Sequence, residues 1–251
     1  MNIADTCAVI TGGASGLGEA TARQFAASGA KVALFDLNEE VGEKVAAELG
    51  GTFHKVNVTD EDSVAAGIAA ARDAMGTINA AVNCAGIAPA ATTIGKKGPH
   101  PLHVFQQTID INLVGSFNVA RLAAEVIAEN AAADDGARGV IINTASIAAM
   151  DGQRGQAAYA ASKGGIVGLS LPMARDLARS GIRVMAIAPG IFLTPMLMGL
   201  PQEVQDQLAQ DVTCPKRLGR PEEYAKLAQF IVESGYLNGE VIRIDGALRM
   251  Q

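Results

Sequence analysis

The sequence predicts an α/β fold in which one doubly wound parallel sheet is covered by helices on both faces. Two observations lead to this prediction. Short runs such as residues 32–35 and 140–142 are apolar on both sides, which is typical of strands buried on both faces of a parallel sheet. Longer amphipathic stretches separate these runs, as expected for right-handed βαβ units.

Seven candidate strands alternate with six candidate helices along the chain. The strands are predicted at residues 7–11, 31–35, 52–56, 79–83, 139–144, 182–187 and 241–244, and the helices at 16–28, 39–49, 60–75, 102–130, 156–179 and 221–234. Gly29, Gly50 and Gly181 stand where helices should end, and Pro221 followed by two glutamates opens the last helix. Because no repeat or linker divides the 251 residues, we expect a single domain over residues 1–251.

Two stretches interrupt this alternation. Residues 87–101 are rich in proline and glycine, and residues 189–201 carry three prolines around an apolar centre. Loops of this length inside a compact domain are usually functional. We therefore predict two functional loops, the second of which continues as a substrate loop to about residue 210.

Composition excludes several classes of protein. The chain has 20 Lys and Arg against 26 Asp and Glu, and its net charge of −6 disfavours nucleic-acid binding. With 3 His and 3 Cys and no CxxC spacing, we predict no metal site and a reduced intracellular compartment. No stretch is apolar enough for a membrane span, and six residues before the first strand are too few for a targeting peptide. We expect a cytoplasmic protein, in a bacterial cytosol in preference to a mitochondrial matrix.

A glycine-rich turn follows the first predicted strand. Gly12, Gly16 and Gly18 allow a tight turn and a close approach of the backbone to a pyrophosphate, and the next helix offers free N–H groups to phosphates. A structural turn without a ligand is the alternative. The position between the first strand and the first helix favours a dinucleotide-binding Rossmann fold.

Asp36 ends the second strand, 18 residues after Gly18. A carboxylate at this place accepts both hydroxyls of an adenosine ribose and repels a 2′-phosphate. No basic residue occurs in residues 37–43, although an NADP enzyme would need one there. These features favour NAD over NADP, with a solvated turn aspartate as the alternative.

Ser146, Tyr159 and Lys163 form the candidate catalytic group. Ser146 follows a central strand, and Tyr159 and Lys163 are four residues apart on one face of a predicted helix. An ammonium group beside the phenol is expected to lower the pKa of Tyr159 and make it a general acid or base near neutral pH. Taken singly, each residue has a structural alternative: a half-buried aromatic, a solvated charge and a strand cap.

Six features of the chain resemble the short-chain dehydrogenase/reductase family, and together they extend over nearly its whole length. They are the turn at residues 11–18, Asn-Cys-Ala-Gly at 83–86, Asn112, Ser146, Tyr-Ala-Ala-Ser-Lys at 159–163, and Pro189 with Gly190. The resemblance implies a seven-stranded parallel sheet and a homotetramer. It also implies that the catalytic residues are Asn112, Ser146, Tyr159 and Lys163, with Lys163 holding the nicotinamide ribose and Asn112 anchoring a water chain.

The same resemblance implies a set of cofactor-binding residues. They are Gly12, Ser15, Gly16, Leu17, Gly18, Asp36, Leu37, Asn57, Val58, Asn83, Cys84, Ala85, Gly86, Tyr159, Lys163, Pro189, Gly190, Phe192 and Thr194. Asn57 departs from the family, which usually has Asp there. Its side-chain oxygen can still accept a hydrogen bond from the adenine amino group, so we expect only a modest loss of NAD affinity.

Within the family, the chain is most similar to members that oxidise 3-hydroxyacyl-CoA thioesters. This implies NAD-dependent, reversible oxidation of a short-chain 3-hydroxyacyl-CoA to a 3-oxoacyl-CoA, with a 2-methyl branch left open. The implied substrate-binding residues are Ser146, Gln153, Gln156, Tyr159 and Leu197. Lys96 and Lys97 are expected to meet the phosphates of CoA, and a solvated charge pair is an equal alternative. Other substrates (a steroid, another secondary alcohol or an acyl-carrier-protein thioester) and a non-catalytic dinucleotide sensor also remain open.

Overall fold

A computed structural model describes residues 1–96, 98–199 and 201–250. Seven parallel strands form one sheet in the order β3-β2-β1-β4-β7-β8-β9. Their bounds are β1 Cys7–Thr11, β2 Lys31–Asp36, β3 Thr52–Lys55, β4 Ala80–Asn83, β7 Gly139–Thr144, β8 Ile182–Pro189 and β9 Val241–Ile244. Each agrees with its predicted strand within two residues, which confirms the predicted fold class.

Helices cover both faces of this sheet. The longer ones are α1 Gly16–Ala27, α2 Glu39–Leu49, α3 Glu61–Met75, α4 Leu102–Ile109, α5 Ser116–Ala128, α7 Ala157–Asp176, α9 Gln202–Asp211 and α10 Pro221–Glu233. The short ones are α6 Ala148–Asp151, α8 Pro195–Met198 and the 3₁₀ turns Ile3–Asp5 and Ala178–Ser180.

Alternation along β1 explains the two-sided core. Val9 packs into a cluster with residues of α3, α5 and α7, whereas Ala8 and Ile10 pack into a second cluster with residues of α1, α2 and α10. Successive strand residues point to opposite faces. A strand that is apolar at every position is therefore buried on both sides, as the sequence pattern indicated.

The predicted helix at residues 102–130 is interrupted by a π-helical turn. Asp110–Gly115 is π-helical and separates α4 from α5. By length and composition, Leu102–Ala128 passes as a membrane span, but half of its most apolar window is buried inside the protein. This stretch therefore packs as a core helix of the α/β domain.

Both predicted loops contain regular structure: the first is irregular except for two short strands, whereas the second is largely helical. Residues 87–101 hold a two-stranded hairpin, β5 Ile94–Gly95 and β6 Gly98–Pro99, separate from the main sheet. The stretch 189–210 contains α8 and most of α9. The helix α8 is only four residues long and begins at Pro195, and α9 is strongly polar and has no buried residue, so neither helix was indicated by an apolar run.

Candidate active site

A cleft of about 480 Å³ opens at the carboxyl ends of the strands. The strand order reverses between β1 and β4, which is where open α/β sheets place ligands. The residues that line it include every predicted cofactor residue except Asn83, together with Ser146. Asn83 is buried behind the cleft, where its Nδ2 donates to Oδ1 of Asn143 over 2.8 Å.

The glycine turn leaves no room for side chains. A Cβ at Gly18 would collide with the backbone oxygen of Gly12, and one at Gly12 would lie 3.0 Å from the backbone nitrogen of Ala85. Gly12 also has a φ of 65°, in the left-handed region. No side-chain hydrogen bond from Ser15 caps α1, so the first N–H groups of this helix stay available to a ligand.

Asp36 stands at the opposite end of the cleft from Tyr159. Its Oδ2 accepts a hydrogen bond from the backbone N–H of Ala14 over 3.1 Å, and its Oδ1 accepts one from Asn38 over 3.0 Å. Each carboxylate oxygen accepts two hydrogen bonds, so both keep capacity for a ribose hydroxyl. The turn and Asp36 together fit a bound dinucleotide.

The side-chain oxygen of Asn57 is bonded within its own loop. Its Oδ1 accepts hydrogen bonds from the backbone N–H of Thr59 over 3.2 Å and from the Thr59 hydroxyl over 2.9 Å. Both acceptor positions of this oxygen are thus occupied within the loop. An adenine amino group would have to compete with Thr59 for this oxygen, and the expected contact of Asn57 with adenine stays a prediction.

Lys163 is buried beside Tyr159. Its side chain is only 4% exposed, its Nζ donates to the backbone oxygen of Thr144 over 2.7 Å, and Nζ lies 5.8 Å from the centre of the Tyr159 ring. Burial lowers the pKa of Lys163 to about 8. The side chain of Lys163 therefore loses its proton in a pH range just above neutral.

The pKa of Tyr159 is raised, and not lowered as the sequence predicted. Burial disfavours the phenolate, and a hydrogen bond with Ser146 only partly opposes this. The side chain of Lys163 reaches past the ring to Thr144, so its charge does not dominate at the phenol oxygen of the ligand-free protein.

Asn112 lies in the π-helical turn and is fully buried. Its Oδ1 accepts from the backbone N–H of Ile87 over 2.8 Å, and its Nδ2 donates to the oxygen of Ile87 and to Ser162 Oγ. The side chain thus fixes the loop after β4 to α7, behind the lining of the cleft. Its role in a water chain stays a prediction.

Comparison with known proteins adds to this geometry. A family model described as "Enoyl-(Acyl carrier protein) reductase" matches residues 12–248. "3-hydroxyacyl-CoA dehydrogenase type-2" of Homo sapiens is 56% identical over 97% of this chain and 95% of its own, and that of Drosophila melanogaster is 53% identical over 99% of both. The crystal structure of "3-hydroxyacyl-CoA dehydrogenase type-2" from Mycobacterium avium superimposes with a TM-score of 0.94, at 45% identity over 97% of this chain and 96% of the other.

The chain belongs to the short-chain dehydrogenase/reductase family. The resemblance based on the six sequence features is confirmed, and the protein is an oxidoreductase. Membership of this family implies a nicotinamide cofactor. Within residues 1–96, 98–199 and 201–250, no group of three His, Cys, Asp or Glu side chains is arranged to hold a metal ion.

Of the predicted substrate residues of this short-chain dehydrogenase, Ser146 and Tyr159 line the cleft, whereas Gln153, Gln156 and Leu197 do not. Gln156 accepts a hydrogen bond from the N–H of Gln153, and Leu197 is half-buried in α8. Lys96 is exposed at the turn of the hairpin, whereas Lys97 lies outside the described residues. These assignments stay predictions.

Two residues that lie near the site, Thr144 and Tyr224, were not identified from the sequence. Thr144 contributes a backbone oxygen to Lys163, and such a contribution leaves no signature in the sequence. Tyr224 lies at a core position of α10, and its hydroxyl is 2.7 Å from Thr144 Oγ1. The apolar periodicity of α10 predicts burial for Tyr224 but does not reveal a partner for its hydroxyl.

Proposed function

We propose that the protein is an NAD-dependent 3-hydroxyacyl-CoA dehydrogenase that interconverts 3-hydroxyacyl-CoA and 3-oxoacyl-CoA. The observation that carries the proposal is the grouping of Ser146, Tyr159 and Lys163 at one end of a dinucleotide-sized cleft. The high identity to proteins named 3-hydroxyacyl-CoA dehydrogenase type-2 supports the choice of substrate.

The cofactor would lie along the cleft. Asp36 would hold the adenosine ribose, the turn from Gly12 to Gly18 would hold the pyrophosphate, and Lys163 would hold the nicotinamide ribose. When bound, the nicotinamide supplies the hydride acceptor for the carbon that carries the substrate hydroxyl. Because the carboxylate of Asp36 repels a 2′-phosphate, NAD is the proposed form.

Proton transfer would fall to Tyr159. In the oxidation direction its phenolate takes the proton of the substrate hydroxyl, while the Ser146 hydroxyl orients the same oxygen. Burial raises the pKa of Tyr159, so a nearby positive charge is needed to make the phenolate accessible. The ammonium of Lys163 would provide it once its side chain swings from Thr144 toward the ring.

The acyl-CoA would enter on the side of the hairpin. The backbone N–H of Ala91 donates to the oxygen of Gly155 over 2.9 Å, which joins the loop after β4 to the segment before Tyr159. In this arrangement Gln153, Gln156 and Leu197 would contact the acyl portion, and Lys96 with Lys97 would meet the phosphates of CoA. A solvated lysine pair remains the alternative.

Steady-state rates with different cofactors and substrates test the proposed dehydrogenase activity. We expect acetoacetyl-CoA to be reduced with NADH, and kcat/KM with NADPH to be at least about 100-fold lower because two negative charges would meet at Asp36. Equal values with the two cofactors would contradict the NAD assignment. Turnover of sterols or acyl-carrier-protein thioesters without turnover of acetoacetyl-CoA would contradict the substrate.

A truncated thioester substrate tests whether Lys96 and Lys97 bind the phosphates of CoA. Acetoacetyl-N-acetylcysteamine keeps the reacting atoms and lacks the CoA phosphates. For the double variant Lys96→Ala/Lys97→Ala, we expect a higher KM for acetoacetyl-CoA and an unchanged KM for the truncated substrate. An unchanged KM for both would support the solvated pair.

We also propose a homotetramer in a reducing compartment, with a bacterial cytosol favoured over a mitochondrial matrix. Apolar side chains are exposed on two sets of elements: Leu102, Val114, Phe117 and Leu171 on α4, the π-helical turn, α5 and α7, and Phe230 with Tyr236 at the end of α10 and beyond. A tetramer with two-fold symmetry needs two such faces. The compartment is supported by the free state of Cys7, Cys84 and Cys214.

A further inference from the structure

A cluster of two hydroxyls and a thiol lies beneath the nicotinamide end of the cleft. Tyr224 is completely buried in the first turn of α10, with its hydroxyl 2.7 Å from Oγ1 of Thr144. The Sγ of Cys84 lies 3.7 Å from the Tyr224 hydroxyl and 3.6 Å from Thr144 Oγ1. We call these three side chains the Cys84–Thr144–Tyr224 network.

The hydrogen bonds of this network form a closed ring. The thiol of Cys84 donates to the Tyr224 oxygen, and the Thr144 hydroxyl donates to the Cys84 sulfur. The Tyr224 hydroxyl is then left to donate to Thr144 Oγ1, so each group donates once and accepts once, and the buried Thr144 and Tyr224 and the half-buried Cys84 are all paired. Burial raises the pKa of both Cys84 and Tyr224. Both groups therefore stay protonated, as this ring of hydrogen bonds requires.

The network joins the ends of two neighbouring strands. Cys84 follows the last residue of β4, and Thr144 is the last residue of β7, which pairs with β4. Thr144 presents its backbone oxygen to Lys163 and lies two residues before Ser146. The spacing of these strand ends therefore sets where Lys163 and Ser146 stand relative to Tyr159.

We propose that Tyr224 is a positioning residue, whose hydroxyl holds the ends of β4 and β7 at the spacing that places Lys163 and Ser146 for proton transfer. The kinetic part of this proposal rests on the proposed dehydrogenase activity, whereas the structural part does not. Without the hydroxyl, Thr144 and Cys84 would each lose a buried partner, and the strand ends would relax.

Removal of the Tyr224 hydroxyl provides the kinetic test of this proposal. For Tyr224→Phe we expect kcat for acetoacetyl-CoA reduction to fall about tenfold, because small displacements of catalytic groups are costly. The Kd for NADH, measured by nucleotide fluorescence, should change less than twofold. Thr6→Val, which removes a buried hydroxyl just before β1 and outside the cleft, is the control and should leave kcat unchanged. A kcat within twofold of the wild-type value in Tyr224→Phe would overturn the proposal.

A double-mutant cycle asks whether the network acts as one unit. If it does, Tyr224→Phe combined with Thr144→Val should reduce kcat no further than the more damaging single change. Fully additive losses would show that the Tyr224 hydroxyl does not act through Thr144 and would overturn the proposal.

Hydrogen exchange of the cofactor-free protein gives a readout without any substrate. The amides of Cys84 and Ala85 donate to Thr11 Oγ1, and that of Ala145 donates to Ile187, so all three should be protected. In Tyr224→Phe we expect faster exchange at these amides and unchanged exchange in α2. Unchanged protection of all three would overturn the proposal. If the wild-type protein fails to reduce acetoacetyl-CoA, the proposed function fails while this measurement still decides the role of Tyr224.

Discussion

At Tyr159 two opposing effects decide whether the residue can exchange a proton. Burial stabilises the neutral phenol, whereas Ser146 donates a hydrogen bond that stabilises the phenolate. The sequence predicted the residue and its partners correctly as neighbours. It could not predict the direction of the pKa shift, because that depends on how far each side chain is buried and on the preference of Lys163 for the oxygen of Thr144.

Tyr159→Phe removes the proton carrier and keeps the ring. We expect kcat for acetoacetyl-CoA reduction to fall by about 10²- to 10⁴-fold, the usual contribution of a general acid. The Kd for NADH should change little, since the phenol hydroxyl is only one of many cleft contacts. Near-normal turnover in this variant would contradict the proposed mechanism.

The pKa of Lys163 predicts how the rate of the reaction depends on pH. Its pKa of about 8 means that the side chain is charged below that pH and neutral above it. Reduction requires a protonated Tyr159 and gains from the charge of Lys163, so kcat/KM for acetoacetyl-CoA should decline as pH rises through about 8. A profile measured from pH 6 to 10 checks this, and a rate that stays flat or rises between pH 7 and 9 would contradict it.

Local competition for a hydrogen-bond acceptor could not be predicted at Asn57. Asn57 was expected to contact adenine through Oδ1, but Thr59, two residues away, already occupies that oxygen. Asn and Thr side chains often bond to nearby backbone in this way, and sequence spacing alone does not show which bond is formed.

Among the elements, the strands were the easiest to predict. They are buried on both faces, so every position of a strand such as β7 is apolar or small until the site is reached. The π-helical turn at Asp110–Gly115 was missed because one extra residue in a helix barely alters its apolar periodicity. The helix α9 was missed because most of its residues are polar and none of them is buried.

The glycine turn at the start of α1 has no room for an added side chain at Gly18. A Cβ at Gly18 would collide with the backbone oxygen of Gly12, so Gly18→Ala must displace the turn. We expect the Kd for NADH to rise about 10- to 100-fold, equivalent to about 1–3 kcal/mol of overpacking. Gly235→Ala is the control, because its Cβ would meet only Asp135 Oδ2 at 3.8 Å. Equal NADH affinities of the two variants would contradict the expectation.

For the whole molecule, the sequence predicted one parallel sheet, and the structure has a cleft at the carboxyl ends of its strands. The sheet was predicted correctly because the order of apolar runs and helices leaves few right-handed topologies. What it could not predict was the set of contacts between distant segments, such as Tyr224 with Thr144 or Ala91 with Gly155. Those contacts depend on side-chain orientations that arise only when the elements pack.

The assembly prediction also belongs to this scale. Light scattering should give a mass about four times the 25.7 kDa of one chain. Phe117→Glu places a charge on a side chain that is 47% exposed in the single chain, and should give a dimer of about half the tetramer mass. Val41→Glu, on α2 and away from both apolar groups, should remain tetrameric. A monomeric wild-type protein would contradict the proposed assembly.

The hairpin of β5 and β6 has a consequence for how such enzymes diversify. It forms its own small sheet and is attached to the domain at both ends by loops, whereas the proposed catalytic and cofactor residues lie on the main sheet, its helices and the loops that connect them. Insertions or deletions at residues 94–99 would therefore alter which substrates enter the cleft and leave the proposed catalytic residues in place. Selection can act on substrate range at this hairpin with little cost to the stability of the scaffold.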